Sequence, residues 1–529
     1  MPTVLASPPL AMPGDPGDSG PCRTGNVDLL SATEATAPGF PAPHPLVKWA
    51  ICAGVFAVLA AVFGFRDQLG VFREIFSQSR PGKIYLLAGV IFLVINILAL
   101  TWRIWLVSRY RPVGDVPDAR LPHCTVAVPA YNEGEQVYHT LKSICRSDYP
   151  PQKLSLIAVD DGSTDETWGW IKKAREELPS RLKAIRLPRN SGKRRALYAA
   201  FVKSKGSVLV TIDSDSIVAP GTLRSLVSPF VLDERVGAVA GNVRVLNTRE
   251  GIIPKMLDVS FMFSFDFLRA GQSVIDTVIC TPGALSAYRR RVVLRVLSPW
   301  LHQRFCGKPA NIGEDRAMTN LILKQGYSVH YQRSAPVYTR VPVRYATLCR
   351  MLLRWARSNV RETLILANFV FKPFRESGTA GARLNFVLQV LLMLKSPLLL
   401  AVVVGCFFRW PLEIGLNMLF GVVLSSSVPA VFYLWRCRRS NALWAYPYGL
   451  FWLIGLSWIQ IFAFATPHRT GWLTRQPAKG DTQARALRQL LRGGSAVSLK
   501  CAVTAPGGQW PPKPVAAAAK KAPPERSAV

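Results

Sequence analysis

Negative charge is scarce in this chain. Asp and Glu number 32 against 65 Lys and Arg, which leaves a formal charge of +33. Such an excess points to anionic partners: nucleotides, phospholipid head groups or nucleic acid. No nucleic acid partner is expected, because zinc-finger spacing and the aromatic signature of RNA-binding modules are both missing. Paired cysteines are missing too. The 10 cysteines are scattered, none forms C-x-x-C, and Cys52 and Cys406 fall in apolar runs. That excludes a disulfide framework or zinc site and suits a reducing compartment. The N-terminus lacks the basic start, apolar core and cleavage site of a signal peptide. Residues 1–45, rich in Pro, Gly, Ala and Ser, read as a disordered tail.

Apolar sequence is abundant, 49% of residues, and it comes in blocks beside basic blocks. Leu46 to Phe65 and Ile84 to Val107 are each long enough to cross a bilayer, which needs about 20 residues. They predict a transmembrane hairpin over residues 46–110. Three further apolar segments, Leu384 to Phe408, Leu412 to Trp435 and Leu443 to Thr466, make up residues 384–466. Lys395, Ser396 and Pro397 interrupt the first and predict a kink. Arg436, Arg438 and Arg439 precede the third, and the tail after it is also basic. Both cannot be cytosolic if all three segments cross, so the third is expected to be re-entrant or interfacial. Residues 467–529 end in a polar, basic stretch that reads as disordered.

Between the blocks, residues 121–340 alternate short β-rich runs with helical stretches. Residues 125–129, 154–160 and 208–213 read as strands; residues 133–147, 165–177 and 191–204 read as helices. That alternation predicts an α/β domain with a mainly parallel sheet. Ligands of such sheets bind beyond the carboxyl ends of the strands. V-L-V-T-I-D-S-D ends there in Asp213 and Asp215, a spacing that lets two carboxylates share a hard cation. Taken alone, the pair also fits an acidic turn. V-D-D-G-S-T-D adds Asp160 and Asp161 in a tight turn, with Thr164 or Asp165 available to cap the next helix.

N-S-G-K-R-R (190–195) puts Lys193 and Arg194 at a helix start, unfavourable for the dipole unless an anion is present. G-E-D-R-A-M-T (313–319) puts Glu314 and Asp315 at another, where the dipole favours them; a carboxylate there can also act as a base. Residues 341–375 read as amphipathic and interfacial. Arg350, Arg354, Arg357 and Arg361 recur at helical spacing and are expected to meet head groups, with Trp355 free to stack on a sugar.

In this order, V-D-D-G-S, S-G-K-R, D-S-D, G-E-D-R-x-x-T, R-W-A-R-S-x-x-R-E and T-G-W-L-T-R (470–475) resemble the membrane-embedded processive family 2 glycosyltransferases. The branch is that of hyaluronan synthases and nodulation-type chitooligosaccharide synthases. The resemblance spans roughly Leu46 to Arg475. It implies a GT-A (Rossmann-like) catalytic domain on the cytosolic side of the cell (inner) membrane, inserted between transmembrane helices. It further implies a UDP-sugar donor, a growing polysaccharide acceptor, surrounding membrane lipid, and Mg²⁺ or Mn²⁺. By the same resemblance Asp161, Lys193 and Arg194 look like nucleotide contacts, and Asp213 and Asp215 like the pair placing UDP and metal. Asp315, with Glu314 beside it, looks like the catalytic base. Arg354 and Trp355 look like pyrophosphate and acceptor contacts. Trp472, Thr474 and Arg475 look like a gating loop, and residues 280–289 like an acceptor-site lining. One departure stands out: Met351 occupies the place where the family motif begins with Gln, and a thioether lacks an amide's hydrogen bonds.

Overall fold

The computed structural model describes residues 73–376, 378–437 and 440–469, with a few isolated positions before them. The expected tails, most of the first apolar segment, and Trp472, Thr474 and Arg475 lie outside the described residues.

Helix α1 (Arg80–Arg109) carries the second apolar segment. Ser79 caps it by accepting from the Gly82 N–H at 3.1 Å. Ile84, Leu87, Val90, Leu93 and Ile97 are all exposed around it. A helix with apolar residues all round has no use for water and is long enough to cross a membrane.

Beyond it the main sheet assembles. In chain order come β1 (Cys124–Ala130), α2 (Gln136–Cys145), β2 (Leu154–Asp160), α3 (Thr167–Glu177), β3 (Leu182–Arg186), α4 (Lys193–Lys203) and β4 (Val208–Ile212). β5 (Ser216–Val218), α5 (Thr222–Leu232), β6 (Val236–Val245), α6 (Ile252–Phe261), α7 (Arg269–Val274), β7 (Leu285–Arg289) and α8 (Arg290–Leu301) follow. A short hairpin, β8 (Arg304–Phe305) and β9 (Lys308–Pro309), leads to α9 (Glu314–Lys324) and β10 (Ser328–Thr339). The eight-stranded sheet runs β3-β2-β1-β4-β7-β6-β10-β5. The β3-β2-β1-β4 half is parallel, as the βαβ alternation predicts. β7 is antiparallel to both β4 and β6.

Two cores cover the sheet. Val126, Val128, Val208, Val210 and Ile212 point to one, while Ala127 and Leu209 point to the other. A strand buried on both faces explains why these runs are apolar throughout rather than alternating. The carboxyl ends of β1, β2 and β4 therefore open on one edge.

The chain then continues through α10 (Tyr345–Val370), α11 (Thr379–Phe407), α12 (Pro411–Cys437), α13 (Ala445–Phe451) and α14 (Trp458–Ala465). Pro397 sits inside α11 without ending it. α12 is a second helix apolar and long enough to cross a membrane. The third C-terminal segment is broken: Ser440–Leu456 and Trp458–Ala465 meet at 44°, a shape shared by broken spans and re-entrant loops.

Candidate active site

The loops after β1 and β2 are stitched to each other. Asn132 takes a left-handed conformation, its N–H donates to Ser163 Oγ at 3.0 Å, and its side chain accepts from the Thr164 N–H at 2.9 Å. Asp165 Oδ1 accepts from the Thr167 N–H, at the first residue of α3, at 3.1 Å. Gly162 has φ of 73°, and a Cβ there would collide with the Arg189 backbone. Only glycine fits that turn.

Asp161 is buried. Its two oxygens accept from the Ser191 and Gly192 N–H groups at 2.8 and 2.7 Å. It thus holds the loop that opens α4. Burial pushes its carboxyl up to about 7, against the pull of those two N–H donors.

Lys193, the first residue of α4, reaches into the sheet edge. Its Nζ lies 2.5 Å from Asp213 Oδ1 and 3.2 Å from Glu314 Oε1. Burial alone would lower the ammonium pKa, but Asp213 and Glu314 outweigh it and hold it above the ordinary lysine value. Gly283 makes room: a Cβ there would lie 2.6 Å from Lys193 Nζ. This gathers the S-G-K, D-S-D and G-E-D motifs around one ammonium.

Asp315 closes the group. Its Oδ2 accepts from the Gly283 N–H at 3.3 Å and from the Cys280 thiol at 3.8 Å, and its Oδ1 accepts from the Arg316 N–H at 2.7 Å. Burial, then the neighbouring Glu314, raise its carboxyl pKa, the direction a general base needs. Burial would raise Glu314 as well, but Lys193, the helix-start N–H and Arg354 carry it below the ordinary value. Two adjacent carboxyls are pushed apart, which separates acid and base roles. Beneath them Lys193, Phe201, Tyr288, Trp300 and Met318 line a cavity of about 10 Å³, room for roughly one water.

A hard divalent cation fits this edge. Asp213 and Asp215 offer oxygen donors from neighbouring positions, and a cationic group, Lys193, already sits against Asp213. Among the described residues no cluster of three His, Cys, Asp or Glu forms a closed metal site.

Two sequence expectations are placed differently. Arg194 turns away from the sheet edge: it is buried, donates to the Trp300 carbonyl at 2.6 Å and to Gln303 Oε1 at 3.0 Å, and stacks over Trp300. The arginines of α10 do not form one head-group face. Arg350 is exposed, but Arg357 is buried on Thr466 Oγ1 at 3.0 Å, and Arg361 is fully buried against Glu362 and the Ile312 carbonyl. Their acceptors are protein groups, which explains why they leave the surface. Met351 is half-buried and packs on the core. Trp355 is exposed, 6.0 Å from Phe261, and Arg354 lies within electrostatic reach of Glu314.

The sequence reading missed the network behind the site. Glu362 is fully buried and accepts from Gln303, Asn320 and Arg361. Arg316 donates to Asn359 and, at 2.9 Å, to Thr363. α10 thereby holds α9, the helix that starts with Glu314 and Asp315. Gly313 allows the close approach, since a Cβ there would collide with Ser358 Oγ. The signal was present in the adjacent Arg361 and Glu362 of R-S-N-V-R-E-T, but helical spacing alone put the arginines on a surface face.

Residues 122–358 match the profile described as "Glycosyltransferase like family 2". An N-acetylglucosaminyltransferase of Mesorhizobium japonicum is 35% identical over 256 residues, 48% of this chain and 59% of that protein. One from Rhizobium meliloti is 34% identical over 274 residues, 51% and 64% of the two chains. A hyaluronan synthase of Streptococcus pyogenes serotype M3 is 28% identical over 401 residues, 73% of this chain and 90% of that one. The chain thus spans less than two thirds of the two N-acetylglucosaminyltransferases. With carboxylates from β4 and α9 gathered at one sheet edge, residues 122–358 form a family 2 glycosyltransferase domain.

Proposed function

We propose that this protein polymerises sugars from UDP-sugar donors into an exported β-linked polysaccharide, with inversion at the anomeric carbon. The donor is UDP-N-acetylglucosamine, alone or alternating with UDP-glucuronate, and the catalytic domain faces the cytosol. The supporting observation is the convergence of Asp213, Glu314 and Asp315 around Lys193, with Asp315 raised in pKa.

Asp315 takes the proton of the acceptor hydroxyl, and the freed oxygen attacks the anomeric carbon in line. The C–O bond to the diphosphate breaks as the new glycosidic bond forms, and UDP leaves. Lys193 offsets charge on the departing diphosphate once donor displaces it from its carboxylates. Asp213 and Asp215 would hold Mg²⁺ or Mn²⁺, which stabilises the leaving group as a Lewis acid. Arg354 would meet the diphosphate and Trp355 the acceptor ring.

A second reading is a chitooligosaccharide synthase using UDP-N-acetylglucosamine alone. The names of the rhizobial relatives and the W-L-T-R form of residues 472–475 favour it. A third is a non-processive transferase acting on a lipid carrier, favoured by Met351 in place of Gln. UDP release and labelled product length in proteoliposomes, with each donor singly and paired, separate the three. Long polymer only with both donors supports the alternating reading. Oligomer from UDP-N-acetylglucosamine alone supports the second, and single addition to lipid the third. No UDP release with any donor would defeat all of them.

A further inference from the structure

A second charged cluster lies two to three strands along the sheet from β4. Asp266 is fully buried in a π-helical stretch, Met262–Leu268, between α6 and α7. Such stretches are rare and often mark functional sites. Three guanidinium groups converge on its carboxylate. Arg333 Nε from β10 lies 2.6 Å from Oδ1. Arg436 Nε, from the last turn of α12, lies 3.3 Å from Oδ2, and Arg244 Nη2 from β6 lies 3.5 Å from the same oxygen.

One carboxylate cannot satisfy three guanidiniums, each with five N–H donors. The shortage is visible. Arg333 Nη2 is buried with no hydrogen-bond acceptor among the described residues. Among the described residues Arg244 Nη1 faces the Met262 thioether sulfur, a weak acceptor. Tyr331, 1% exposed, buries its hydroxyl without a partner, within electrostatic reach of Arg244 and Asp266. Asp258, which also acts electrostatically on Arg244, accepts from the Tyr433 hydroxyl at 2.6 Å. Buried donors without acceptors call for a missing acceptor. The cluster is acceptor-poor and cationic, so that acceptor is an anion with several oxygens.

Its position narrows the source. Arg436 ends α12, a helix long and apolar enough to cross a membrane. The cluster thus lies where a spanning helix would leave the hydrocarbon, at the level of lipid phosphates.

We propose that Arg244, Arg333, Arg436 and Tyr331 form a binding site for a phosphate-type oxyanion, joining the end of α12 to the catalytic domain. A lipid headgroup and free phosphate share that chemistry. Arg436 is 29% exposed at its side chain and is the arm that a lipid reaches first.

The test uses the full chain in nanodiscs of phosphatidylcholine, with or without phosphatidylglycerol, or with millimolar inorganic phosphate added to phosphatidylcholine discs. The readout is the thermal unfolding midpoint. The wild type should gain several degrees from one of the two anions. A gain from phosphatidylglycerol only assigns the site to lipid; a gain from phosphate assigns it to the free anion. Arg436→Gln should lose most of that gain. Removing one charge from a chain of +33 barely alters general attraction to an acidic surface, so an equal gain in Arg436→Gln and wild type overturns the site. Asp266→Asn removes the competing carboxylate and should bind the anion more tightly, midpoint saturating at a lower anion content. If that variant does not fold, Arg436→Gln decides alone. No gain from either anion in wild type also overturns the proposal.

Discussion

Two polar clusters lie back to back in this domain, and they are built on opposite principles. At the carboxyl edge, Lys193 stands among Asp213, Glu314 and Asp315, with Arg354 within electrostatic reach of Glu314. Behind it, Glu362 is fully buried and accepts from Arg361, Asn320 and Gln303. The first cluster is electrostatically unfinished and half-open; the second is closed around Glu362, with Arg361 Nη1 and Asn320 Oδ1 left buried without a hydrogen-bond partner among the described residues. A half-open cluster with unbalanced charge is where a charged ligand belongs, whereas a closed, fully buried one fixes geometry. The same motif contributes to both: in R-W-A-R-S-N-V-R-E, Trp355 stays exposed while Arg357, Arg361 and Glu362 turn inward.

The largest effect expected from breaking the unfinished cluster is at Asp315. Asp315→Asn keeps the shape and removes the base, so turnover should fall by about 10²- to 10⁴-fold. UDP binding, read by calorimetry on the same protein, should persist. Synthesis at the wild-type rate would remove Asp315 from its assigned role.

The closed cluster should respond in stability instead. Glu362→Ala leaves Arg361 buried without its carboxylate, which costs roughly 3–5 kcal/mol in comparable cases. Glu362→Gln, which keeps an acceptor, should be milder. The folded fraction of either variant should keep the donor KM of wild type. A raised KM at an unchanged unfolding midpoint would erase the distinction between the two clusters.

How much of this was legible beforehand follows from the same contrast. The strands ending in Asp160 and at Asp213 are written as apolar runs that stop at acid, and both lie where periodicity placed them. Lys193, Asp213, Glu314 and Asp315 were identifiable because each sits at an element end, where local sequence sets direction. Arg194 was not. One residue further into α4, it points about 100° away from Lys193 and into the protein. Arg357 and Arg361 were misplaced for a related reason: helical spacing fixes a shared face but not what covers it. Thr466 and the Ile312 carbonyl, distant in sequence, supply that cover. Cys280 and Gly283 were noted only as part of an acceptor lining. Their contacts with Asp315 depend on β7 pairing antiparallel with β4, which no local pattern encodes.

A smaller effect is expected at Lys193. Lys193→Met removes the ammonium that donor phosphates would compete for, and a hydrogen bond to a charged group is worth about 1.5–3 kcal/mol. The donor KM should rise by roughly 10- to 100-fold on that scale. kcat should fall less than in Asp315→Asn. A KM unchanged from wild type would mean that the ammonium serves only to neutralise Asp213 and Glu314.

The smallest effect sharpens the comparison most, because Asp161 lies at the open edge yet is bonded like scaffold. Both its oxygens are taken by the Ser191 and Gly192 N–H groups, and burial lifts its pKa from 3.8 to about 7. The folded protein therefore holds this proton more tightly than the unfolded chain does. Its stabilising contribution is complete below about pH 4 and is lost as pH rises through about 7. The unfolding midpoint of wild type, relative to Asp161→Asn, should accordingly decline across that window. A rise instead would mean that the two N–H donors dominate burial and keep the carboxylate charged. Asp161 would then belong with Asp213 in the unfinished cluster, as a charge awaiting the donor, and the boundary between the two regions would move out to the S-G-K loop.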